Sequence, residues 1–150
     1  MASSWTNRGR YNALDAIFRG TALPASFNLA LVSTTPTVDT NVFSDLTEIP
    51  SANGYTTGGT SIARNSTDFD VLTEDDTLDK ALIQIIDKLW TAAGGPLPST
   101  GSATYSVLLD NNATIANREV WMYWDLGGSR SVSDTQPFKL IDTQIELTTS

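Results

Sequence analysis

Apolar residues recur along the chain at two spacings. Tyr11, Leu14, Ile17 and Phe18 fall at i, i+3, i+6 and i+7, one stripe of a two-turn helix, and Gly20 stands where a left-handed stop belongs. After Pro24 the spacing changes to two. Phe27, Leu29 and Leu31 alternate with Asn28, Ala30 and Val32, the pattern of a strand. Residues 61–64 and 68–73 read as two short strands, the second with Phe69, Val71 and Thr73 on one side.

Residues 78–90 fit both periods. Leu78, Leu82, Ile85 and Leu89 have helical spacing, whereas Ala81, Ile83 and Ile85 against Leu82, Gln84 and Ile86 describe a strand buried on both faces. The flanking Thr- and Gly-rich turns favour the strand, and the run 81–86 is where a core is expected to nucleate. Residues 94–98, Gly-Gly-Pro-Leu-Pro, end it. Beyond them, 105–109, 120–126 and 138–147 are β-prone runs separated by Asp110-Asn111-Asn112 and Gly127-Gly128-Ser129, the turn chemistry of an antiparallel meander.

Two segments lack a clear period. Residues 33–61 are rich in Thr, Ser, Asn, Gly and Pro, with a short helical spacing at Val42, Leu46 and Ile49 for which Thr40 or Ser44 is the cap. A loop this long is usually functional or docked on a partner. Residues 1–10 carry one Trp and two Arg without periodicity and read as a flexible arm that orders only against something else. The predicted fold is therefore mainly β: an antiparallel sandwich or barrel-like body over residues 11–150, with a short N-terminal helix and the arm 1–10.

Composition removes several chemistries. Without cysteine or histidine there is no disulfide, no thiolate zinc site and no histidine-dependent triad. A formal charge of −8 argues against nucleic acid held through its phosphates. No 18-residue apolar segment is present and the start, MASSWTNRGR, lacks a secretory apolar region, so neither a membrane span nor export is expected. No catalytic residue, metal or cofactor is predicted.

Asp68, Asp70, Glu74, Asp75, Asp76 and Asp79 invite a calcium site, but their spacing is not that of the twelve-residue calcium loop, and a solvated acidic turn or a patch for a basic partner fits better. Glu119, beside Trp121, Tyr123 and Trp124, is the one acid in an aromatic setting and carries the alternative of a carbohydrate-binding or hydrolytic module. Residues 120–126 have no obvious wet face, so Trp121, Tyr123 and Trp124 are the candidates for a subunit interface. Trp5, Arg8, Arg10 and Tyr11 are the candidates for contact with a partner; Arg8, Arg10 and Arg19 give the acidic chain a basic end.

The succession Thr6-Asn7-Arg8-Gly9, Phe18-Arg19-Gly20, Phe27-Asn28-Leu29-Ala30-Leu31-Val32, Pro36-Thr37-Val38-Asp39-Thr40-Asn41, Leu46-Thr47-Glu48-Ile49 and Asn53-Gly54-Tyr55 resembles a family of small tailed-phage virion proteins. The likeness continues through Asp68-Phe69-Asp70-Val71, Trp90-Thr91-Ala92-Ala93-Gly94-Gly95-Pro96 and Ser131-Val132-Ser133-Asp134-Thr135-Gln136. Members are labelled phage tail fibre proteins, yet are also similar to head decoration, or cement, proteins. A fibre shaft needs long repeats or coiled coils, which this chain lacks. The resemblance thus implies a decoration protein on the capsid surface, binding the major capsid protein and itself, commonly as a trimer, with a tail or tail-tip component as the alternative. No nucleic-acid or membrane partner is expected, on the charge and the apolar pattern already described.

Overall fold

In the computed structural model, which describes residues 3–148, ten strands and one helix follow each other along the chain. They are β1 (Ser4–Trp5), α1 (Asn7–Arg19), β2 (Ser26–Val32), β3 (Thr60–Ala63), β4 (Val71–Asp75), β5 (Lys80–Ile85), β6 (Lys88–Thr91), β7 (Ala103–Leu109), β8 (Val120–Arg130), β9 (Pro137–Leu140) and β10 (Thr143–Thr148). All pairings between these strands are antiparallel, in a five-stranded sheet of order β1-β8-β7-β2-β3, a three-stranded sheet β10-β5-β4 and a ribbon β6-β9. The arrangement is sandwich-like, without a closed barrel.

The five-stranded sheet is buried on both faces, which is why Phe27 to Val32 are all buried. One face carries Phe27, Leu29, Leu31, Leu108, Met122 and Trp124 and packs against Ile85 and Ile145 of the three-stranded sheet and Trp90, Phe138 and Leu140 of the ribbon. The other carries Ala30, Val32, Val107, Leu109 and Val120 and is closed by Phe43 and Leu46. The core is thus centred on β2, β7 and β8, not on 81–86, where only Ile85 is fully enclosed.

Segment 33–59 is pinned to its own chain. Ser33 donates its N–H to Thr47 and Ile49 to Leu31, so the segment runs beside β2, and residues 43–45 form a single 3-10 turn. Asp45, not Thr40 or Ser44, caps that turn by accepting from Asn41 and Val42 N–H. The Tyr55 hydroxyl accepts from Leu31 N–H and donates to Glu48 at 2.8 Å. Burial raises the Glu48 carboxyl above its ordinary range, against the lowering effect of Tyr55, Gly58 N–H and Arg118, and burial likewise raises Tyr55.

Several expected boundaries move. Residues 78–90 are strand, as preferred, but form two strands, β5 and β6. The start of the expected strand 68–73 is a turn, because the Asn65 side chain accepts from Thr67 and Asp68 N–H and closes it. The run 138–147 divides into β9 and β10 at Asp142, which sits at φ 52°. Gly127 and Gly128, expected to end a strand, lie inside β8, where the register against β7 shifts between Ala103 and Tyr105.

The expected arm is a correction. Of residues 1–10, Met1 and Ala2 lie outside the described residues, as do 149 and 150 at the other end, but Ser4 and Trp5 pair with Tyr123 and Met122 as an edge strand. Thr6 is fully buried; its hydroxyl accepts from Gly9 N–H at 2.9 Å and donates to the Val120 carbonyl, capping α1 and fastening it to β8 together. The segment orders against its own sheet because those backbone groups have partners there.

Candidate functional site

Helix α1 is held by its small face. An ideal Cβ on Gly9 would lie 2.1 Å from the Trp121 carbonyl oxygen, a separation no side chain tolerates, so only glycine lets the helix backbone come this close to β8. Ala13 packs against the first core, and the Asn12 amide donates to Glu119. With Gly9, Asn12 and Ala13 turned inward, helical geometry turns the large residues outward. Tyr11, Leu14, Ile17 and Phe18 are exposed, Ile17 at 69% and Phe18 at 77%. Gly20, at φ 76° and with its N–H on Asp15, stops the helix as expected.

Single exposed apolar side chains are ordinary; four in one stripe of a helix make a contiguous exposed apolar patch. Full burial of each would contribute about 1.5–3 kcal/mol. Basic groups border it. Arg8 lies 3.6 Å from Glu119 with its guanidinium 5.9 Å from the Tyr11 ring centre, Arg19 lies 3.5 Å from Asp15, and Arg10 is exposed.

The sequence-predicted residues separate into two groups. Arg8, Arg10 and Tyr11 stand together on α1. Trp5 does not join them: its indole N–H donates to the Glu146 carbonyl at 3.2 Å. Trp124, completely buried, does the same to Gln144 at 2.8 Å. The two indoles clamp the open edge of β10 to the five-stranded sheet, where an apolar body and one polar atom are both needed. Trp121 is also buried, edge-on to Phe27 with ring centres 5.1 Å apart.

An interface built from Trp121, Tyr123 and Trp124 is therefore corrected: Trp121 and Trp124 belong to the chain's own core, and half-buried Tyr123 meets Tyr105 edge to face. The register shift between Leu108 and Leu109 makes Trp121 the extra residue of β8, so that Trp121 and Tyr123 point to opposite faces. The aromatic platform imagined beside Glu119 is accordingly not at the surface, and Glu119 is engaged by Asn12 and Arg8.

A second apolar opening, missed in the sequence, lies between the sheets. On the face of β10-β5-β4 turned toward the core, burial fades from Ile85, fully enclosed, through Ile83 and Ile145 to Leu72 and Leu147, which are 77% and 63% exposed. Beneath these outer rows runs an almost wholly apolar cleft of about 270 Å³, walled by Trp5, Phe27, Phe69 and Leu72 among others. Period-two alternation showed that this sheet has an apolar face; it carried no sign that the underlying sheet stops short of covering it.

The acidic residues do different things. Asp68 accepts from Ala63 N–H at 2.7 Å and Lys88 at 3.0 Å, and those two bonds hold its carboxyl below the ordinary range. Asp75 accepts from Thr77 and Leu78 N–H and closes the β4–β5 turn. Glu74, Asp76 and Asp79 border the outer end of the hairpin. Among the described residues no three acids converge as a metal would require, and no helix is long and apolar enough to cross a membrane. Compared with known proteins, the chain matches no family model, no curated protein and no solved structure.

Proposed function

We propose that the chain is a structural protein of a bacteriophage virion, a capsid decoration protein that binds the major capsid lattice as a homo-oligomer. The observation that carries a contact role is the outward stripe of α1, Tyr11, Leu14, Ile17 and Phe18, on a helix whose orientation is fixed by Gly9 and Thr6. The resemblance of the sequence to small tailed-phage virion proteins supports the virion setting. A capsid gains strength from apolar area buried across its joints, and an anchored helix presents such area without an ordering cost at the moment of binding. The Arg10 and Arg19 rim suits an acidic counterpart. No catalytic step enters this reading.

Quantitation of the protein in purified virions tests it. A copy number comparable to that of the major capsid protein is expected; a handful per particle would overturn the decoration role in favour of a tail component. In the same particles, Ile17→Asp with Phe18→Asp should be lost from the shell while the isolated variant keeps the wild-type circular dichroism. Retention of the variant at full occupancy would refute the contact role of α1.

A further inference from the structure

Two exposed apolar surfaces of the chain are bordered by charges of opposite sign. The stripe of α1 is apolar with a basic rim, whereas the opening beneath Leu72 and Leu147 is apolar with an acidic rim. The two openings at the β4–β5 hairpin share Leu72, Ala81 and Leu147, so the apolar cleft runs out into a surface bordered by Glu74, Asp76 and Asp79. Those three acids make no ion pair among the described residues, and neither does Arg10 on the helix.

We infer that the occupant of the hairpin cleft is α1 of a second copy of this chain, with Phe18 or Ile17 entering beside Leu72 and Leu147 and Arg10 and Arg19 meeting the acidic rim. This rests on the reading of α1 as a contact face and names its partner as a neighbouring copy, so that the stripe serves the homo-oligomer on the lattice and not the capsid protein itself. Three observations favour a second copy. Within one chain the stripe is held away from the sheet by Gly9 against Trp121, so the helix does not turn its own large residues inward. Among the described residues the four most exposed large apolar side chains, Phe18, Leu72, Ile17 and Leu147, all lie at these two places. The charges bordering them are opposite in sign, which sets orientation and discourages pairing of like with like, helix on helix or hairpin on hairpin. Contact between different patches on the two copies is head-to-tail, and closes into a ring if the rotation permits.

The chain has no cysteine, so single cysteines report the contact without background. Phe18→Cys and Leu147→Cys copies, each mixed under mild oxidation, are expected to form a disulfide between the two variants and little within either. Sedimentation velocity supplies the second readout. Wild type should self-associate; Ile17→Asp with Phe18→Asp, and Leu72→Asp with Leu147→Asp, should each be monomeric; an equimolar mixture of those two should recover one-to-one pairs, since each retains one intact half. Reversing Arg10 and Arg19 to Glu should weaken association roughly tenfold, and copies with Glu74→Lys and Asp76→Lys should restore it.

The surface substitutions are checked for folding by thermal melts. A wild-type chain that sediments as a monomer throughout, or F18C copies that join one another as readily as they join L147C copies, would overturn the inference. A monomeric chain still present at high copy on virions would leave the decoration role standing and remove only the head-to-tail contact; self-association without virion incorporation would do the reverse.

Discussion

Helix α1 and strand β8 are the two segments whose large apolar residues most needed a partner, and they meet it in opposite ways. β8 buries Trp121, Met122 and Trp124 in one core and Val120 in the other, because the sheet is covered on both sides and a shift of register aims successive aromatics apart. α1 packs on that same strand yet leaves Phe18 77% exposed. Apolarity alone did not decide between core and surface. What decided was which residues permit close approach: Gly9 touches the β8 backbone and the bulky side chains do not.

The sharpest way to break this comparison is to truncate one aromatic from each side. Trp124→Ala removes a completely buried ring and the indole that holds Gln144, and should cost about 3–5 kcal/mol in urea unfolding. Phe18→Ala should stay within about 0.5 kcal/mol in a monomeric sample. Equal losses would mean that the helix stripe is covered in the folded chain.

Gly9 comes next. Gly9→Ala places a methyl where the Trp121 carbonyl already sits, and should destabilise by roughly 1–3 kcal/mol even though alanine is the better helix former. Stabilisation instead would show that α1 is not seated on β8. Thr6→Ala removes the cap from Gly9 N–H and the hydroxyl donor to Val120, and should cost about 1–2 kcal/mol. Hydrogen exchange should localise that loss to the first turn of α1 and the β1–β8 pairing.

Much of this was legible in the chain and some was not, for identifiable reasons. The mainly β class, the strands around Phe27, Val107 and Met122, and the helix stop at Gly20 follow from local period and turn chemistry. The strand start at 68 failed because one side chain, Asn65, closes a turn there, and the Gly127-Gly128 turn failed because glycine serves a bulge as readily as a reversal. The orientation of α1 was beyond period alone: a helical stripe shows that one face is apolar, not what lies opposite. Gly9 and Ala13 at helical spacing were the available sign that the small face was the packed one. The two clamping indoles, Trp5 and Trp124, each join residues more than a dozen apart in sequence, a separation that no local pattern records.

The smallest effect asks the same question of charge. Glu48 is half-buried against Tyr55, and burial raises its carboxyl; Asp68, also half-buried, is lowered by the Ala63 N–H followed by Lys88. Their contributions to stability must therefore run in opposite directions with pH. A raised carboxyl favours the folded state below its unfolded value, and that share is lost as pH rises through the folded value. For Asp68, whose ordinary value is 3.8, the share is present above that value and lost as pH falls through the lower folded one. Asp68→Asn should cost about 1 kcal/mol near neutrality, with the deficit shrinking in acid. Glu48→Gln keeps an acceptor for Tyr55 and Gly58, so its stability relative to wild type should improve from acid toward neutrality. Unfolding free energies of the three proteins across the acid range decide it: parallel curves would mean that neither carboxylate feels its place in the fold, whereas curves diverging in opposite senses would separate a carboxylate raised by burial from one lowered by its hydrogen bonds.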